Sequence, residues 1–91
     1  MASYLVNVDV QLGSEPSPQQ LELLQAAIGR GAAGRYVMEA RLMIITLFLN
    51  AESISEVDSL ARYVADRALD DAGYTADSAL VVKVDSRERV E

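Results

Sequence analysis

The stretch Arg35-Tyr36-Val37-Met38-Glu39-Ala40-Arg41-Leu42-Met43-Ile44-Ile45-Thr46-Leu47-Phe48-Leu49 decides the fold, because it reads either as one bent strand or as a hairpin. Arg35 to Met38 has the length of a short strand, and Leu42 to Leu49 is apolar at every position except Thr46. We place the turn at Glu39, Ala40 and Arg41, where polar character interrupts the run, although no Gly, Pro or Asn marks it. A strand as apolar as Leu42 to Leu49 must be covered on both faces.

Working outward, Ser17 followed by Pro18 and Gln20 reads as an N-cap, an N1 proline and the far half of a capping box. The helix that follows carries Leu21, Leu24, Ala27 and Ile28 on one stripe, with Leu23 widening it, and Gly29 and Gly31 end it. On the other side, Ser53 and Glu56 form a second capping box. Ile54, Val57, Leu60, Ala61, Val64, Ala65, Ala68 and Leu69 then recur at helical spacing until Gly73. Tyr4 to Leu12 alternates, with Tyr4, Val6, Val8, Val10 and Leu12 on one face. Leu80, Val82 and Val84 alternate with Val81, Lys83 and Asp85 in a last strand. The expected organisation is one domain over residues 1–85 and a mixed-charge tail over 86–91.

The order is thus β-α-β-β-α-β. Right-handed crossovers with one hairpin predict an antiparallel sheet in the order 4-1-3-2 with both helices on one face. That is an α+β protein of the ferredoxin-like sandwich type; a misread hairpin would give a different α+β arrangement.

Composition narrows function by exclusion. The chain has 91 residues, neither Cys nor His, and a formal net charge of −6. Thiolate and imidazole chemistry, a structural zinc site and disulfides are therefore ruled out. The acidic field disfavours nucleic acid and anionic membranes as partners. Met1 to Leu12 carries no basic leader and places Asn7 and Asp9 within its apolar stretch, which predicts neither a signal peptide nor a spanning helix, hence a cytoplasmic protein. Lys83 is the only lysine beside seven arginines, and alanine recurs throughout. In that bias the chain resembles small accessory proteins of GC-rich actinobacteria or their phages, a resemblance of composition over the whole chain that carries no motif and implies no site or activity.

Candidate sites are few. Gly29-Arg30-Gly31-Ala32-Ala33-Gly34 matches G-x-G-x-x-G, but it closes a helix and leads into a strand, the reverse of the dinucleotide-binding context. Arg30 and Arg35 nevertheless make this a locally basic loop and the candidate anion-binding site. Tyr4 to Val8 faintly resembles the first motif of RNA-recognition domains, yet Arg41 to Leu49 lacks the second. Asp9 and Lys83 can face each other across two strands, a pairing that usually serves solubility.

The most informative surface is the sheet face turned away from the helices. If Thr46 points outward, Leu42, Ile44 and Phe48 share that face with Leu5, Asn7, Asp9, Gln11 and Val81; the opposite parity exposes Met43, Ile45, Leu47 and Leu49. Interface candidates are therefore Leu42, Ile44, Phe48, Ile45, Leu47 and Leu5. The expected function is a small acidic non-catalytic protein-interaction module, a homodimer that modulates another protein and needs no cofactor, metal or catalytic residue. Two alternatives are a small-molecule or anion-binding regulatory domain, and a dimeric-barrel-type isomerase or decarboxylase using Asp9 or Tyr4 between helices and sheet.

Overall fold

The computed structural model describes residues 2–29, 32–75 and 78–88. The elements run β1 (Ala2–Leu12), α1 (Pro18–Ile28), β2 (Ala33–Val37), β3 (Leu42–Ala51), α2 (Ile54–Asp71) and β4 (Ala79–Glu88). The four strands are antiparallel neighbours in the order β2-β3-β1-β4, which is the expected 4-1-3-2 order read from the other edge.

The β2–β3 hairpin forms where Glu39, Ala40 and Arg41 placed it. Val37 pairs with Leu42 across a four-residue loop closed by Arg41 N–H donating to the Met38 carbonyl at 3.3 Å. Arg41 does without glycine at a left-handed position, φ 54°, because its carbonyl is held from outside the hairpin. It accepts from the Leu12 N–H and from Gln11 Nε2, each at 3.1 Å.

Both helices lie on one side of the sheet, since Leu24 of α1 and Val57, Ala61, Ala65, Ala68 and Leu69 of α2 share a core with the inward residues of β1 and β3. The alternation of β1 is fully expressed: Val6, Val8 and Val10 are completely buried. Burial of each such side chain contributes roughly 1.5–3 kcal/mol. On α2, three alanines on the buried stripe allow close approach to the sheet. Gly34 does the same for α1, because a Cβ there would meet Leu24 Cδ2 at 3.2 Å.

Helix ends follow local chemistry. At α1, Ser17 Oγ accepts from the Gln20 N–H and Gln20 Oε1 accepts from the Ser17 N–H, completing the capping box. At α2, Ser53 Oγ accepts from the Glu56 N–H, the forward half of the expected box. The C-terminus of α2 is a Schellman turn in which the Gly73 N–H donates to the Asp70 carbonyl and the Tyr74 N–H to that of Leu69, with Leu69 and Tyr74 both buried.

Several expectations need correction. β4 continues through Ser86, Arg87 and Glu88, which pair with Val6, Leu5 and Tyr4, so the tail begins later than residue 86; residues 89–91 lie outside the described residues. The alternation in β4 is broken by a register shift opposite Asp9 and Val10, where Lys83 pairs with Asp9 and Val81 with Val10. Val82 is the extra residue of this bulge, so Val81 packs inward rather than on the outer face, while Leu80 is left exposed. Ile54 and Leu60 of α2 and Leu23 and Ala27 of α1 are exposed, which narrows both stripes.

The left-handed Arg41 yields a direct test by chemical denaturation. Arg41→Gly is expected to match or exceed wild-type stability by up to about 1 kcal/mol, whereas β-branched Arg41→Val should lose roughly 1–2 kcal/mol.

Candidate functional site

With Met43, Ile45 and Leu47 buried beneath the helices, the outer sheet face has the parity marked by Thr46. Of the interface candidates, Leu42, Ile44, Phe48 and Leu5 lie on this face, whereas Ile45 and Leu47 are buried in the core, out of reach of a partner. With both helices on one side, no element among the described residues covers the other side of β3, where Phe48 is half exposed.

The register sorts the face into rows that cross the strands. The first joins Val37, Leu42, Gln11 and Leu80; the second joins Arg35, Ile44, Asp9 and Lys83. The third contains Ala33, Thr46, Asn7 and Asp85, and the fourth Phe48, Leu5 and Arg87. Short side chains make up most of the third row, between rows of long ones. The result is a shallow depression of about 360 Å³ lined by residues of all four strands. Its floor is tied by Thr46 Oγ1 donating to Asn7 Oδ1 at 2.8 Å. Further along, Ser3 Oγ donates to Asn50 Oδ1, also at 2.8 Å.

The electrostatics of this depression are unusual for so acidic a chain. Among the described residues the ion pairs are Arg62–Asp58 at 3.2 Å and Arg87–Asp85 at 3.8 Å, the second long and well exposed. Asp9 and Lys83 are register neighbours, as their spacing allowed, but form no ion pair with each other, and Arg35 at the other end of the row has no ion pair among the described residues. Arg35, the candidate anion ligand, is thus brought onto the open sheet face with Lys83; Arg30 lies outside the described residues.

Of the two residues that the enzyme alternative would place between helices and sheet, Tyr4 lies on that side, buried in the core, and Asp9 lies on the outer side of β1. Among the described residues no three carboxylates gather as a metal site. No helix among them is long and apolar enough to cross a membrane.

A second depression, about 470 Å³, runs between the C-terminal half of α2 and β4 and is lined in part by Asp66, Asp70 and Tyr74. The Tyr74 hydroxyl is buried without a hydrogen-bond partner among the described residues. Burial raises its pKa above the ordinary 10.0, and the nearby Tyr36 phenol raises it further.

The sequence could not show that Arg35, Lys83 and Asp85 converge, since that depends on pairing between strands far apart in the chain. The run Leu80-Val81-Val82 did carry a signal for the bulge, because three consecutive apolar residues break the period of two. No known protein family, curated protein or solved structure matches this chain.

The buried Tyr74 phenol makes stability depend on alkaline pH. Its folded pKa exceeds the unfolded one, so its contribution is full below the ordinary value of 10.0 and is lost as pH rises through the folded value. Tyr74→Phe is expected to stabilise the protein by about 1 kcal/mol at neutral pH, by removing an unpartnered hydroxyl. It should also flatten the loss of stability on going to about pH 10.5, both read by urea denaturation.

Proposed function

We propose that this protein is a small acidic, non-catalytic interaction module that self-associates through the outer face of its sheet and modulates another protein. Its order and sheet topology are compatible with the ferredoxin-like sandwich, whose open sheet face is free for association. One observation carries the reading: Leu42, Ile44 and Leu5, with the half-exposed Phe48, lie on the sheet face opposite both helices, which no other element among the described residues covers.

The edges of the sheet support the face over edge pairing. β2 is only five residues long, and β4 is bulged and carries Lys83, Asp85, Arg87 and Glu88, features that discourage strand addition. Charge supports it as well. Arg35, Lys83 and Arg87 with Asp9 and Asp85 give the four rows a net +1, so the rest of the chain carries −7 of the formal −6. Mutual repulsion is therefore weakest where two copies would meet, and the acidic helix side stays available to a basic partner.

A second reading, an anion-binding regulatory domain, is favoured by Arg35 and Lys83, which stand at opposite ends of one row without an ion pair among the described residues. Stabilisation by inorganic phosphate that disappears in Arg35→Ala would favour it.

The primary test is sedimentation velocity. Wild type is expected to dimerise and Phe48→Asp to be a folded monomer; a wild type that stays monomeric at high concentration rejects self-association. Ile45→Asp is unsuitable here, because it would bury a carboxylate in the core and unfold the domain.

A further inference from the structure

We infer that two copies dock face to face about a two-fold axis that runs across the strands, between the Lys83 row and the Asp85 row, so that Lys83 of each copy meets Asp85 of the other. The inference rests on the self-association proposed above and specifies its register.

Stacked sheets keep their strands within about 30° of each other, about 10 Å apart. A two-fold contact is isologous, so whatever one copy presents it also receives. Two orientations keep the strands aligned. An axis along the strands would lay β2 of one copy over β4 of the other and set Arg35 on the partner's Lys83, a like-charge contact made twice. An axis across the strands instead lays each strand over its own counterpart with the order of rows reversed.

Charge then locates that second axis. Placed through the Lys83 row it would stack Lys83 on the partner's Lys83, and through the Asp85 row Asp85 on the partner's Asp85. Placed between them, it sets Lys83 against the partner's Asp85 twice. The exposed ion pair of Asp85 with Arg87, at 3.8 Å, is a weak competitor. The same placement sets the long Arg35 over the partner's Ala33, where the face is low, and Phe48 over the partner's Leu42. Charge, size and apolar contact therefore agree on one register, which also centres the overlap of the four rows.

About this axis the rows from Leu5 to Gln11 overlap, roughly 20 Å along β1, and four strands span roughly 19 Å, giving a projected overlap of about 400 Å² per copy. Accessible area exceeds projected area, which puts the contact toward the low end of standard interfaces, whose mean is ~800 Å² per partner.

The test uses the whole chain in two charge reversals, Lys83→Asp and Asp85→Lys, by sedimentation equilibrium. Each variant alone is expected to dimerise at least about 10-fold more weakly than wild type, because it places like charges together twice. Mixed in equal amounts, they are expected to form a heterodimer within about 3-fold of wild-type affinity, since both contacts are again of opposite sign. A wild-type dimer dissociated by Phe48→Asp, with reversals that have no effect or are not rescued on mixing, overturns this register while leaving self-association standing. A monomeric wild type removes both. Circular dichroism checks folding, and if a reversal unfolds the chain the neutral variants Lys83→Gln and Asp85→Asn replace it. Each is expected to weaken the dimer about 3-fold, and unchanged affinity in both overturns the register.

Discussion

The antiparallel register of β1 on β3, from Ala2 opposite Ala51 to Gln11 opposite Leu42, is the constraint on which the rest depends. A slip of one residue would turn Val6, Val8 and Val10 to solvent and bring Asn7 and Asp9 under the helices. Because the valine face is entirely buried, such a slip would expose three large apolar groups and bury an amide and a carboxylate together. The register is held at one end as well as along its length. The Arg41 carbonyl takes hydrogen bonds from Leu12 and Gln11, so the hairpin turn that makes β3 also anchors the end of β1.

Most of the architecture was legible because it rests on local chemistry. Ser17 and Ser53 announce helix starts through side chains that reach backbone donors three residues on, and Gly73 announces the end of α2 through its positive φ. The hairpin was legible from the break in apolar character, even without a glycine. What escaped was non-local. The parity of β3 could not be decided from an almost uniformly apolar strand; it follows from Thr46 meeting Asn7, a partner 39 residues away. The length of β4 escaped for the same reason, since Ser86, Arg87 and Glu88 look like a charged tail and become a strand only because β1 has an edge to offer them. The candidate site is legible only once both registers are known.

The two faces of the sheet obey different rules. Under the helices, packing is dense enough that one extra carbon at Gly34 would press on Leu24. On the outer face, rows that hold the apolar Leu42, Ile44, Leu5 and Phe48 also carry Arg35, Lys83 and Arg87 and flank a row of short side chains, so the surface has relief and a pattern of sign. A flat apolar surface would adhere to many partners in many orientations, whereas relief and sign select among them.

The position of β4 bears on how the chain is made. β1 is central in the finished sheet, yet its second neighbour, β4, is synthesised after the other five elements. While β4 is still within the ribosome, the nascent protein holds β1 as an edge strand, with one full row of backbone donors and acceptors open to any other chain. The polar outward residues Asn7, Asp9 and Gln11 stand along that temporary edge, where they keep it hydrated during the interval. The arrival of the strand from Ala79 to Glu88 ends the exposure, and replaces a plain edge by a bulged and charged one.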